Sequence, residues 1–170
     1  MIQRVAAWAA LTAVLLLAAT GSAGAQGEGG IAVGAHAPAV IVNDLDGNPV
    51  NLAGVIGKKP LVLQWWATWC DLCKELLPRV RAAYDAHRDQ VEFFGINVTV
   101  NQSPARVRRY LQEHRPPYRT LYDTGGTSTR AYQVPTTSFM VVVDRSGTVV
   151  YTGTGGNQDL LPVVARVAAR

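Results

Sequence analysis

Beyond the N-terminus, Leu61-Val62-Leu63-Gln64-Trp65-Trp66 is an apolar run of strand length. A run of that length with one polar interruption is the pattern of a strand buried on both faces. The pattern then becomes helical. Leu72, Leu76, Leu77, Val80 and Ala83-Tyr84 recur at helical spacing, with Lys74, Arg79, Arg81, Asp85 and Arg88 between them, which predicts an amphipathic helix from about Cys70 to His87. Upstream, Ala39-Val40-Ile41-Val42 and Pro49-Val50-Asn51-Leu52 flank Asn43 to Asn48, and Asp46-Gly47 marks a hairpin turn between two short strands. Downstream, Val91 to Val98 reads as a strand. Ser103 is an N-cap with Pro104 at the first position of a helix reaching about His114, and Arg115-Pro116-Pro117 ends it. A short strand over 118–123 and a helical turn over 127–132 follow. Phe139 to Asp144 and Thr148 to Tyr151 then form strands about an Arg145-Ser146-Gly147 turn, and a helix closes the chain from Leu160 to Ala169. Alternating strands and helices, then a hairpin and a helix, argue an α/β sandwich with a mixed sheet.

The N-terminus carries a different pattern. Arg4 precedes an apolar run from Val5 to about Ala19, and Ala23 and Ala25 supply small residues in the A-x-A arrangement. Residues 1–25 read as a signal peptide cut before Gln26. Uncleaved, the same segment is an anchor, although its apolar run is shorter than the roughly 20 residues that span a bilayer. Either way the remainder is exported to the periplasm. Residues 26–34 are Gly-rich and read as a flexible leader, and 35–170 as one domain.

Composition narrows the function. The chain has 170 residues, 48% hydrophobic and 16% charged, with a net charge of +4, too apolar for a disordered chain. The basic residues are dispersed, without an aromatic and basic stripe, so nucleic acid is not an expected partner. Two cysteines exclude a disulfide-dense scaffold and cannot alone make a four-ligand zinc site. His36, His87 and His114 have no partner at catalytic spacing.

Those two cysteines lie where the buried strand gives way to the helix, in Trp66-Ala67-Thr68-Trp69-Cys70-Asp71-Leu72-Cys73. The first helical turn has free N–H groups and the positive end of the helix dipole, which stabilise a thiolate. Cysteines three apart can close a disulfide there. Cys70 is expected to be the more exposed and more acidic thiol, which exchanges with a partner disulfide. Cys73, one turn in, is expected to be more buried and to resolve the mixed disulfide. An inert disulfide is the alternative, but so small a loop constrains the unfolded chain little, roughly 2 kcal/mol or less, and pins no distant elements together. Lys74 after Cys73 rules out a c-type haem attachment motif.

This segment, with Pro78 five residues after Cys73, resembles the active-site helix of the thioredoxin superfamily. The hairpin before it and Phe139 to Gly147 after it resemble the periplasmic TlpA/ResA-like branch. The resemblance spans about residues 34–168. It implies a thioredoxin-like three-layer sandwich with a central mixed β-sheet and an N-terminal β-hairpin extension. It also implies that Val134-Pro135-Thr136 is a cis-proline loop facing the dithiol, with the Val134 backbone pairing to a bound substrate strand, and that Pro78 is structural. Trp69 is expected to form an apolar docking rim, Trp66 to support the site, and Trp65 to pack between sheet and helix.

Three departures bear on the chemistry. Where thioredoxins bury an Asp that helps deprotonate the resolving thiol, this chain has Gln64, which cannot titrate. Where many TlpA/ResA-like proteins carry Glu, it has Leu76; Glu75 stands one residue earlier, on another helix face, and reads chiefly as a solvated surface carboxylate. The spacer Asp71-Leu72 lacks proline, and a carboxylate beside the dithiol is expected to disfavour the thiolate and make the pair more reducing.

The expected activity is therefore that of a thiol–disulfide oxidoreductase of the cell envelope, a protein-disulfide reductase working through Cys70 and Cys73 without a cofactor or metal. Its expected partners are disulfide-bearing envelope proteins, apocytochrome c among them, and a membrane thiol-transfer reductant. A peroxiredoxin-like peroxidase is the second reading, disfavoured because Ala67 stands where a Thr or Ser would orient peroxide. A non-enzymatic copper- or thiol-binding module is the third.

Overall fold

A computed structural model describes residues 29–169. The signal peptide read over 1–25 lies outside the described residues. The elements, in chain order, are β1 (Ile41–Asp44), β2 (Pro49–Asn51), a 3₁₀ turn (Leu52–Gly54), β3 (Leu61–Trp66), α1 (Asp71–His87), β4 (Glu92–Asn97), α2 (Pro104–His114), β5 (Arg119–Tyr122), α3 (Thr127–Ala131), β6 (Phe139–Val143), β7 (Val149–Gly153) and α4 (Leu160–Ala168). Among the described residues no helix is long and apolar enough to cross a membrane.

The strands form one seven-stranded sheet in the order β2-β1-β5-β4-β3-β6-β7. β3, β4 and β5 run parallel, and β6, β7 and the β1–β2 hairpin are added antiparallel. The continuous apolar run is the central strand, with all six residues of β3 buried. The hairpin extends the sheet beyond β5, its turn organised by Asp44 Oδ1, which accepts the N–H groups of Asp46 and Asn48 at 2.9 Å each. This is the thioredoxin-like mixed-sheet architecture implied by the resemblance.

Alternation along β3 sorts the core into two sides. Leu61, Leu63 and Trp65 pack with Ile31, Phe94, Ile96, Leu121, Tyr132 and Phe139, on the side of α3. Val62 packs with Leu76, Val80, Phe93, Met140 and Val164, under α1 and α4. Trp66 continues that second side, among Cys70, Cys73, Val107 and Tyr110, under α1 and α2.

Two expectations need correction. Leu72 belongs to the apolar stripe of α1 by spacing yet is 50% exposed. The covered face of α1 is Cys73, Leu76, Val80 and Ala83, and Leu72 lies at its margin, open to solvent. The segment read as a flexible leader is docked over its described part. Ile31 is 6% exposed, and its N–H donates to Tyr132 O at 2.9 Å. Gly30, at φ 96°, lies so close to the Phe139 ring that a Cβ there would fall 2.4 Å from Cζ. Its glycine gives this segment close approach to the core rather than freedom.

Candidate active site

The chain leaves β3 at Trp66, turns through Ala67 to Trp69, and enters α1 with Cys70 as the N-cap residue. Cys70 is extended, at φ −83° and ψ 104°, and its sulfur takes the place that a serine or aspartate oxygen holds in an ordinary cap. The Cys73 N–H donates to Cys70 Sγ at 3.1 Å. The same sulfur is bonded to Cys73 Sγ (S–S 2.07 Å, Cα–Cα 5.3 Å). A thiolate released at Cys70 would thus meet a backbone N–H and the positive end of a 17-residue helix. The expected contrast in exposure is absent: each cysteine is 4% exposed. Trp66 and Tyr110, with ring centroids 5.2 Å apart, pack beneath both.

Three large apolar side chains near the disulfide are open to solvent. Trp69 is 47% exposed, Leu72 50% and Val100 58%. Trp69 and Val100 are tied together, the indole Nε1–H donating to Val100 O at 2.9 Å. Val100 belongs to the loop between β4 and α2, in which Thr99 and Asn101 take left-handed backbone (φ 61° and 53°). This loop braces the approach to the cysteines. Gln102 Oε1 accepts the Thr68 N–H at 3.2 Å and Asn97 Nδ2–H at 3.4 Å, and Asn97 Oδ1 accepts the Thr99 N–H at 3.1 Å. Sequence reasoning missed the brace, because it depends on side chains 34 positions from the residues they hold.

Charges near the pair largely compensate one another. Asp71 meets Lys74 Nζ at 2.8 Å across one helical turn. The bond and the charge of Lys74 hold the Asp71 carboxyl below its usual range, and Asp71 in return raises the Lys74 ammonium. Glu75 is exposed and reaches across to Gly156, where a Cβ would fall 2.4 Å from its carboxylate carbon. Gln64 is 1% exposed, and its Oε1 has no partner in the protein.

The Val134-Pro135 loop lies at the same end of the sheet as Cys70, since Ser138 N–H donates to Trp65 O at 2.9 Å. Pro135 is exposed and Val134 half-buried. The expected cis bond is not found: every peptide bond among the described residues is trans. Left-handed backbone on both sides of the loop, at Gln133 (φ 51°) and Ser138 (φ 61°), redirects the chain instead, and the trans form of an X–Pro bond is favoured by about 0.5–1 kcal/mol. The Val134 N–H is committed to Thr129 O at 2.9 Å.

Behind this loop lies a second feature the sequence reading missed. Asp123, 1% exposed, accepts the Ser128 N–H (3.1 Å), the Ser128 hydroxyl (2.9 Å), the Thr129 N–H (2.9 Å) and the Thr129 hydroxyl (2.7 Å). Ser128 Oγ in turn accepts Trp65 Nε1–H at 3.0 Å. The Asp and Ser/Thr spacing in Asp123-Thr124-Gly125-Gly126-Thr127-Ser128-Thr129 is a capping signal that could have revealed it.

Comparison with known proteins agrees with this geometry. A sequence profile for the family described as Redoxin matches residues 32–167. The thiol-disulfide oxidoreductase ResA of Bacillus subtilis strain 168 is 28% identical over 130 residues, spanning 76% of this chain and 71% of that protein. A secreted Mycobacterium tuberculosis disulfide oxidoreductase homologous to E. coli DsbE superimposes with a TM-score of 0.62 at 25% identity, covering 77% of this chain and 96% of that one. The thioredoxin domain of a thiol-disulfide oxidoreductase from Bacteroides vulgatus reaches 0.69 at 22% identity, over 80% and 97%. At that identity the likeness speaks for the fold alone.

Proposed function

The chain belongs to the Redoxin family and is a thiol–disulfide oxidoreductase, and from that premise we propose that it is a reductase of the cell envelope, passing electrons from Cys70 and Cys73 to disulfides of other proteins. The observation that carries this reading is the sulfur of Cys70 in the N-cap of α1, holding a backbone N–H at 3.1 Å beneath an exposed apolar rim. Such a place lowers the cost of a thiolate and admits an extended polypeptide. As a staple the bond would do little, because it closes a loop within one helical turn.

In the proposed cycle the Cys70 thiolate attacks one sulfur of a partner disulfide. An S–S bond to the partner forms, and the partner's other sulfur leaves as thiolate. Cys73 loses its proton and attacks Cys70 Sγ, which releases the second partner thiolate and closes Cys70–Cys73. Two electrons have moved to the partner, and the protein is left oxidised, as in the structure. No third cysteine stands in the chain to relay electrons, so re-reduction comes from a separate thiol donor, for which a membrane thiol-transfer protein is the fitting class. Trp69, Leu72 and Val100 supply the docking rim, and the Val134 carbonyl offers one hydrogen bond to a docked strand. The apolar N-terminal segment supports export, and apocytochrome c is a fitting client.

The test is a Cys73→Ser variant in the native host. Mixed disulfides at Cys70 with envelope proteins are expected, together with a wild-type reduction potential low enough to reduce those clients. Recovery of the variant with no partner joined to Cys70, or a potential more oxidising than that of its clients, overturns the reading.

A further inference from the structure

The loop that carries Pro135 hangs between two anchors. The first is the bond from Val134 N–H to Thr129 O. The second is Ser138, which is fully buried and takes left-handed backbone at φ 61°. A residue with a β-carbon holds that conformation only where its surroundings over-determine it. Here they do. Ser138 N–H donates to Trp65 O at 2.9 Å, its hydroxyl accepts the Gly155 N–H at 2.9 Å, and its carbonyl accepts Gln158 Nε2–H at 2.9 Å. Gln158 is 6% exposed, and both hydrogens of its amide are used. The second donates to Gly155 O at 2.8 Å, while Oε1 accepts the Tyr151 hydroxyl at 3.1 Å. A pair of donors beside an acceptor is what a side-chain amide supplies and a carboxylate does not. Between the two anchors Pro135 and Thr136 are exposed, and neither Thr136 nor Thr137 forms a hydrogen bond among the described residues.

The same connection, between β7 and α4, is also fastened to α1. Gly156 lies under the Glu75 carboxylate, and Arg79 Nη2–H donates to Asn157 Oδ1. Residues 155–158 therefore join the end of the Pro135 loop to the helix that carries the cysteines. We infer that Gln158 is a positioning residue for partner binding. Its amide fixes Ser138, and through Ser138 it sets the unbonded stretch 135–137 and the Val134 carbonyl relative to the Cys70 end of α1. The inference rests on the proposed docking of a client strand at Val134. None of the hydrogen bonds of Gln158 reaches a cysteine. Without its Nε2–H donor the buried Ser138 carbonyl is left unanswered, which a folded chain avoids by turning the peptide toward water or another donor. The left-handed turn then relaxes, and the stretch 135–137 visits placements that do not suit a docked strand. A client must select the competent placement, and its apparent affinity falls by the fraction of time that placement is populated. The sulfur chemistry is spared, because Cys70 keeps its place as the cap of α1.

The test offers the full chain two disulfides. Insulin, with dithiothreitol recycling the protein, presents a polypeptide. Dipyridyl disulfide, added to the reduced protein after the donor is removed, presents none. Gln158→Met keeps the length of the side chain and deletes its donors and acceptor. It is expected to raise KM for insulin about fivefold or more with kcat near the wild-type value. The rate with dipyridyl disulfide and the reduction potential are expected to stay at wild-type values. Tyr151→Phe, which deletes the hydroxyl that donates to Gln158 Oε1, is expected to raise the same KM about twofold. A wild-type KM in folded Gln158→Met overturns the inference. So does an equal loss on both disulfides, which would assign the amide to the fold or to the thiols rather than to docking. Should Gln158→Met fail to fold, Tyr151→Phe decides alone, and an unchanged KM overturns the inference. A wild-type protein that reduces dipyridyl disulfide but leaves insulin intact would instead overturn the proposed function, so the two failures are read on different proteins.

Discussion

Trp65 and Trp66 are adjacent in β3 and neither is exposed to solvent, yet the sheet sends them into unlike surroundings. Trp65 lies between Tyr132 and Phe139, with centroids at 5.0 and 5.8 Å, and its N–H ends in the Ser128–Asp123 network. Trp66 lies under the disulfide, and its N–H meets no protein atom. On the first side every donor of the Asp123 cluster is answered, which fixes α3 and the loop that leads to Pro135. On the second side polar atoms are left open beside a bond whose chemistry requires breaking and remaking. One side holds geometry, and the other carries the exchanging bond.

The largest test of this contrast is Cys70→Ser. It is expected to abolish disulfide exchange with a protein substrate while the melting temperature stays near that of the reduced wild type. A large drop in melting temperature beyond that of reduction would assign the sulfur a structural role. Asp123→Ala is the converse. It leaves two backbone N–H groups and two hydroxyls unanswered, and urea denaturation is expected to show a loss of about 3 kcal/mol or more, with activity per folded molecule retained. A loss under about 1 kcal/mol would mean that solvent replaces the carboxylate and that this side is not the rigid one. Next comes the pair Trp65→Phe and Trp66→Phe. The first deletes a satisfied bond to Ser128 and is expected to cost about 1–2 kcal/mol more in the same assay than the second, which deletes none within the protein. Equal costs would erase the distinction.

The smallest effects lie at the surface. Asp71→Asn leaves the Lys74 charge beside Cys70, which stabilises a thiolate and raises the reduction potential. Lys74→Gln leaves Asp71 alone and lowers it. Shifts of opposite sign, each no more than about 30 mV, are expected in a redox titration. Lys74 holds the Asp71 carboxyl below its ordinary value of 3.8. A depressed carboxyl keeps its pair above that value and loses it as the pH falls through the lowered one. The opposition is therefore expected to persist from about pH 5 upward. Shifts of the same sign would show that the helix dipole, not this pair, sets the local field.

How much of this was legible depended on the range of the interactions. The buried run 61–66, the Ser103-Pro104 helix start and the Asp46-Gly47 turn are local signals, and each became the predicted element. The cysteine pair was legible because its placement at a strand-to-helix junction is written in adjacent residues. Contacts between distant residues were not. Trp65 and Ser128 are 63 positions apart, and Thr68 and Gln102 are 34 apart. Leu72 has nearly the right spacing for the core, but spacing alone does not tell which residues at the margin of a helical stripe are covered. Gly-rich residues near position 30 read as slack because composition cannot distinguish freedom from close approach. The trans bond before Pro135 depends on how residues 133 and 138 carry the turn, which no local signal announces.

Both rims of the sheet are blunted. β2 is three residues long and begins at Pro49, which offers no N–H, while the first residue of β7 exchanges hydrogen bonds with the chain at Gly34 and Ala35. Short, proline-marked or covered rims resist strand-to-strand aggregation. A protein that exchanges disulfides with other proteins therefore presents them a short, proline-started rim on one side of its sheet and a rim covered at its first residue on the other.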